Sequence, residues 1–169
     1  SSVYRDDNLG LPQLFDNCFF QTTNNGAENL YLVSSGGAAT KIRNCFAYKG
    51  NYLVRGASGV VAQFCTFVGD VGGGIGINNI HCTNVIAFTG AGGLSFWSPI
   101  TGSDYCMSDD TSAPGTNSVK SVTESDILTS PSTGVLTLLN STNAANDAGI
   151  AISGVTTDYE GDTRSDPPE

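Results

Sequence analysis

Positive charge is what this chain has least of. Only 14% of its 169 residues are charged, and 7 are Lys or Arg against 16 Asp and Glu, giving a net charge of −9. Phosphate backbones are gripped by clustered cations, so a nucleic-acid partner is excluded. An anionic membrane surface is disfavoured on the same ground. No apolar run approaches the ~20 residues that span a bilayer, and the start Ser1-Ser2-Val3-Tyr4 carries no signal-peptide pattern. One His and no Cys-x-x-Cys leave a zinc site without a ligand set. Gly72-Gly73-Gly74-Ile75-Gly76-Ile77 lacks the Lys-Ser/Thr that completes a phosphate loop, and reads as a tight turn feeding a strand. No metal or cofactor is therefore expected. Helix signals are missing too, since no window holds apolar residues at helical spacing.

What the chain does have is a repeat. Asn84-Val85-Ile86-Ala87-Phe88-Thr89-Gly90 echoes Asn44-Cys45-Phe46-Ala47-Tyr48-Lys49-Gly50. Asn17-Cys18-Phe19-Phe20, Phe64-Cys65-Thr66-Phe67, Tyr105-Cys106-Met107 and Asp126-Ile127-Leu128 fall into the same register. One core position then recurs at Cys18, Cys45, Cys65, Val85, Cys106 and Ile127. After a longer first step the spacing is about twenty residues, the mark of a solenoid. Phe, Val, Ile, Thr and Tyr dominate these rungs, which is strand chemistry. Between Cys45 and Cys65 the strands Cys45-Phe46-Ala47-Tyr48, Tyr52-Leu53-Val54 and Val60-Val61-Ala62 are cut by Gly50, Gly56 and Gly59. One such coil cannot bury its own inner face, so stacking makes the core. The expectation is an all-β parallel β-solenoid of about six coils, about 4.8 Å apart, over residues 14–139. Residues 1–13 read as a leading arm or linker, and 140–169 as a closing segment and extended tail. In the coil that starts at Val85, alternation puts Leu94 and Phe96 inward and Trp97 outward.

The Asn-Cys-x-Phe pattern of Asn17-Cys18-Phe19-Phe20 resembles the coils of right-handed parallel β-helix proteins, the pectin-lyase-like superfamily. Asp147-Ala148-Gly149 and Asp158-Tyr159-Glu160-Gly161-Asp162-Thr163-Arg164 look like the closing segment of bacterial and phage surface β-helices. In those proteins an Ile-Gly-Ala-Tyr-Glu-like strand follows, whereas here Pro167-Pro168-Glu169 ends the sequence, so the chain is expected to be a piece of a larger protein. The resemblance covers roughly residues 14–164. It implies the right-handed β-helix fold. Function is less constrained, because the fold hosts lyases, hydrolases, adhesins and virion spikes. The leading expectation is a non-enzymatic structural or receptor-binding module of a virion, of the phage type, or of a surface appendage. The alternatives are a fragment of a polysaccharide-degrading tailspike-type enzyme and a bacterial surface adhesin. A lyase of this superfamily would pair acidic calcium ligands with a basic proton acceptor, and Arg43, Lys49 and Arg55 sit in no such motif.

Three groups of residues are candidates for function. Asp70, Asp109 and Asp110 follow their rungs and share one lateral face, where neighbouring coils bring carboxylates within the about 5–5.5 Å of a retaining or ~6.5–9.5 Å of an inverting glycosidase. The competing reading is that they are turn formers and solvated charge. Tyr48, Tyr52, Trp97 and Tyr105 form a candidate lateral stripe for stacking on sugar rings or for subunit contact. His81, beside Cys82, reads as structural. The 5 cysteines stack too uniformly for disulfide geometry and are expected as buried free thiols. Such thiols fit folding in a reducing host cytoplasm, followed by life on a virion surface or outside the cell. A solenoid leaves strand edges at both ends, and neither end looks well covered, so assembly with other subunits, including copies of itself, is expected.

Overall fold

The structure, a computed structural model, describes residues 2–6, 13–21, 28–32, 40–50, 52–56, 59–69, 74–90, 92–139 and 142–164. The expected all-β class is what they form. One sheet holds β1 (Ser2–Asp6), β4 (Glu28–Leu32), β7 (Tyr52–Arg55), β9 (Ile75–Asn78) and β11 (Leu94–Trp97), in that order and all parallel. The other runs from β2 (Leu14–Asp16) through β5 (Thr40–Arg43), β8 (Val60–Val68) and β10 (His81–Phe88) to β12 (Met107–Ser108). Beside β8 it also carries β6 (Phe46–Tyr48), which pairs with β3 (Phe19–Gln21). The chain alternates between the two sheets, so each pass lies on the one before it. Part of the segment read as a leading arm is strand β1, paired with β4.

Register follows the sequence repeat. Phe19, Phe46, Thr66, Ile86 and Met107 stand side by side, one from each pass. The next column inward is Phe20, Ala47, Phe67 and Ala87, large and small by turns, with Phe67 and both alanines fully buried. A ring on one level fills the space left above the Ala on the next, which is how a stack of near-identical levels reaches close packing. Ile42, Ala62 and Cys82 make a parallel column, and Leu53, Val54, Ile77 and Phe96 face them from the other sheet.

The cysteine rungs fall where the repeat puts them. Cys45, Cys65 and Cys106 are buried, Cys18 is half-buried, and all five thiols are free. Each rung residue follows a residue in left-handed conformation: Asn17 (φ 54°), Asn44 (φ 48°), Phe64 (φ 52°) and Tyr105 (φ 55°). That bend aims the carbonyl two residues back at the thiol. Cys18, Cys45, Cys65 and Cys106 donate to the carbonyls of Asp16, Arg43, Gln63 and Asp104 at 3.3, 2.8, 3.3 and 3.3 Å. The thiol thus satisfies a turn carbonyl while its bulk fills the core, which explains why Cys recurs here.

Ile127 does not continue this ladder. After Cys106 the next level is Ser118-Val119: the Val119 N–H donates to the Cys106 carbonyl (2.9 Å), and the Cys106 N–H donates to Ser118 Oγ (2.8 Å). Ile127 ends the short helix α1 (Glu124–Ile127) and belongs to a second core. There Tyr48, Val68, Phe88 and Met107, on the outer face of the second sheet, are covered by Ile127, Leu128, Leu136 and Ala145. β13 (Leu128–Ser130) and β14 (Val135–Leu138) form the antiparallel hairpin that carries Leu128 and Leu136 across this face. Gly134, at φ 84°, permits the approach, since a Cβ there would meet the Tyr48 ring at 3.0 Å.

Two further expectations are corrected. Leu94 is exposed rather than inward, and Ser95 is fully buried beneath the loop that follows β12. The far end is also closed. Residues 103–106 and 109–122 lie over the edges of β10, β11 and β12, and their side chains stand in for a further strand. Ser112 Oγ accepts from the Phe96 N–H (2.8 Å), Asp110 Oδ2 from the Ser95 N–H (3.1 Å), and Ser103 Oγ from the Cys82 N–H (2.9 Å). Among the described residues no helix is long and apolar enough to cross a membrane.

Candidate functional site

The left-handed corner residues Asn17, Asn44, Phe64, Asn84 and Tyr105 stack into a column on the outer surface. Asn adopts this conformation at little cost, whereas bulky Phe64 and Tyr105 are outliers held by their surroundings. Residues 145–164 run across the column as a strap. Asn84 binds it as a strand would: the Ile150 N–H donates to Asn84 Oδ1 (2.9 Å), and Asn84 Nδ2 donates to the Ile150 carbonyl (2.6 Å). Asn44 Nδ2 donates to the Thr157 carbonyl (3.2 Å) and to Asp16 Oδ1 (3.3 Å). Its Oδ1 accepts from Arg164 Nη2 (2.7 Å).

Arg164 is the strap's main anchor. Its guanidinium lies 3.9 Å from the Phe64 ring centroid, and its Nε donates to the Thr157 carbonyl (3.1 Å). Burial pulls its pKa below the usual value, against the opposing charges of Asp158 and Glu160. Tyr159 packs edge-on to Phe46, with centroids 4.8 Å apart.

Between strap and sheet lies a groove of about 290 Å³. Phe46, Ile86 and Met107 line it from the sheet and Leu136 and Leu138 from the hairpin, while Tyr105, Tyr159, Asp158 and Glu160 bring aromatic and acidic groups to it. Aromatic faces beside carboxylate acceptors suit a ring that carries hydroxyls. The groove offers no activated thiol at Cys106, because burial pushes that pKa up to about 12 and leaves the group protonated at neutral pH.

The expected catalytic carboxylates are elsewhere. Asp70 lies outside the described residues. Asp109 accepts from the Thr89 N–H (3.2 Å), the Gly90 N–H (2.8 Å) and the Ser95 hydroxyl (2.5 Å). Asp110 accepts from the Ser95 N–H (3.1 Å) and from both the N–H (2.8 Å) and hydroxyl (2.6 Å) of Ser112. Burial works to raise the Asp110 pKa, but the Ser112 and Ser95 donors outweigh it and hold the carboxyl below its ordinary value. Both carboxylates are thus occupied in closing the end of the sheets. Glu124, which sequence reasoning passed over, stands apart: burial and then the Asp109 charge push its pKa up to about 7. Nothing in the sequence pattern signals this, since the loop that brings it near Asp109 breaks the repeat. Among the described residues no cluster of three or more His, Cys, Asp or Glu is placed to hold a metal.

The aromatic candidates separate. Tyr48 is buried, and its hydroxyl donates to the Ser132 carbonyl (2.5 Å), so it is no surface contact. Tyr52 contributes its backbone to β7, and its side chain lies outside the described residues. Trp97 is 46% exposed at the end of β11, outside the groove. Of those whose side chains are described, Tyr105 lines the groove and Tyr48 and Trp97 do not. Phe46, Phe64 and Tyr159 went unread because a solenoid's rung pattern does not say which outer positions a distant tail will cover. The chain matches no protein-family model, no curated protein and no solved structure.

Proposed function

We propose that the two parallel sheets are walls of a right-handed parallel β-helix, five coils deep, with Ser118-Val119 opening a sixth. The handedness rests on the near-universal right-handed crossover between parallel strands. On this scaffold the chain acts as a non-enzymatic structural or receptor-binding module of a virion, of the phage type, or of a surface appendage. Its free thiols, all buried but the half-buried Cys18, suit folding in a reducing host cytoplasm. The observation that carries the non-enzymatic reading is the use of Asp109 and Asp110 as caps for backbone N–H groups. The groove beneath the strap is the contact for a neutral surface glycan, since a chain of net charge −9 repels acidic polymers.

The test is to present the purified chain to a panel of neutral bacterial surface polysaccharides, measuring binding and release of reducing ends together. Binding without release, lost in Tyr159→Ala, is expected. A polysaccharide-degrading activity is the second reading, favoured by Glu124: a carboxyl held near neutrality beside a second carboxylate is the arrangement of a general acid. Release of reducing ends that disappears in Glu124→Gln would establish it in place of the first. Binding to host cells through residues outside the groove would instead favour an adhesin.

A further inference from the structure

Resting on the reading of the groove as a glycan contact, we propose that its ligand is an N-acetylated amino sugar, with the acetamido group as the feature recognised. The groove holds about 290 Å³. That is at the lower end of the about 300–1,000 Å³ of small-molecule pockets, so it seats one or two rings rather than a long run of polymer. Its walls are unlike in chemistry. Sheet and hairpin supply aliphatic surface from Ile86, Met107, Leu136 and Leu138, more than the apolar face of a hexose stacked on Tyr159 can cover. The strap supplies an acceptor. Glu160 is exposed, and among the described residues no hydrogen bond occupies its carboxylate, whereas Asp158 already accepts from the Asp162 N–H (2.8 Å).

An acetamido group answers both walls at once. Its methyl covers aliphatic side chains that a hydroxyl would leave bare, and its N–H donates to the Glu160 carboxylate. The Tyr105 and Tyr159 hydroxyls belong to the same groove and supply donors for the acetyl carbonyl and the ring oxygens. Related sugars each fail one wall. A uronate needs a cation, and Arg164, the only one among the described lining residues, is held by Asn44 Oδ1 (2.7 Å), the Thr157 carbonyl (3.1 Å) and the Phe64 ring. A free amine would set its charge against the aliphatic wall, at a desolvation cost that an amide avoids. A 6-deoxyhexose has the methyl but no N–H beside it for Glu160.

Calorimetric titration of the purified chain with matched oligosaccharides tests this. The series are N-acetylglucosamine, N-acetylgalactosamine and N-acetylmannosamine, each beside its parent hexose, its free-amine form and a 6-deoxyhexose. At least one acetamido series should bind about tenfold or more tighter than its parent hexose, the discrimination that a methyl in an apolar pocket supplies. Glu160→Ala, at an exposed position, should remove most of that preference without moving the urea midpoint, and Ile86→Thr should narrow it. Tyr159→Ala should weaken acetamido and parent sugars alike. Equal binding of acetamido and parent forms, tighter binding of the free amine or the 6-deoxyhexose, or a preference unchanged in Glu160→Ala would overturn the inference and leave the groove a glycan contact. No binding of any series, with neutral polysaccharides still bound through Tyr159, would likewise overturn the inference alone. No binding of either kind would overturn both readings.

Discussion

Replacing Asn44 with Ala tests whether the corner column holds the strap. Asn44 is 4% exposed and has φ 48°. Ala tolerates the left-handed region poorly, at a cost of about 1–2 kcal/mol. The substitution also leaves Arg164 Nη2 without its Asn44 acceptor, worth about 1.5–3 kcal/mol for a charged donor, and removes the amide bond to Thr157, about 0.5–1.5 kcal/mol. The expected loss is about 3–5 kcal/mol once partial solvent access to the strap is allowed for. Asn44→Gly separates the two causes. Gly adopts φ 48° freely but loses about 0.5–1 kcal/mol more chain entropy on folding, so it should be about 1 kcal/mol more stable than the Ala variant. Urea unfolding gives both values, and limited proteolysis reports release of residues 145–164. An Ala variant within about 0.5 kcal/mol of the parent would refute the pinning argument. A Gly variant as unstable as Ala would refute the backbone part of it.

Glu124 predicts a pH dependence with a definite sign. Its folded pKa of about 7 lies above the reference value of 4.5, so the folded state holds a proton that the unfolded state releases. Stability therefore falls as pH rises from about 4.5 to about 7 and stays lower above that. Glu124→Gln should flatten this slope and stabilise the protein at pH 8 by about 1 kcal/mol, a figure discounted for the group's partial exposure; an unchanged slope would remove Glu124 as its source. Phe67→Ala should cost about 3–5 kcal/mol in urea unfolding because it opens a cavity in a fully buried column. Asp110→Ala should cost about 1–3 kcal/mol through its lost Ser95 and Ser112 donors. A loss below about 0.5 kcal/mol would return Asp110 to the role of solvated loop charge. Thiol titration should count five free groups in denaturant. In the native state Cys18, half-buried, should react first, and a count of three or fewer would mean a disulfide is present.

The repeated half of the fold was legible because its physics is local and periodic. A residue that must turn left-handed, a small apolar residue after it and two residues alternating out and in recur in Asn44-Cys45-Phe46-Ala47 and Asn84-Val85-Ile86-Ala87, and parallel pairing then fixes the register. The register reading failed where the period ended. Asp126-Ile127-Leu128 imitates a rung in composition, yet the chain had already placed Ser118-Val119 on that level. Tyr48 was misread for a different reason. Its outward position in the strand was right, but burial there depends on a hairpin more than eighty residues away in sequence. Trp97, in the same outward class, stays exposed because nothing described crosses it.

Asn and Asp do related work at three places in this molecule, and the type of work bears on function. At the corners, Asn44 and Asn84 use their amides as detached pieces of backbone, pairing with Thr157 and Ile150 to fasten the strap. At the closed end, Asp109 and Asp110 use their carboxylates in the same way, as carbonyl substitutes for a strand that is not there. Asp104 does so again within its loop, accepting from the Tyr105 and Asn117 N–H groups. Asp104 and Asp110, so occupied, have lowered pKa values, and all three carboxylates have fixed partners, the opposite of what a proton-transfer group requires. Glu160 differs: it lies on a strap held by its edges, beside aromatic rings, and lines an open groove, as does Asp158, one of whose carboxylate oxygens accepts from the Asp162 N–H (2.8 Å). In a chain with so few charges, the acids that finish the fold are spent on fixed partners, and Glu160 on the groove and Glu124 beside Asp109 are the ones with chemistry left to offer a partner.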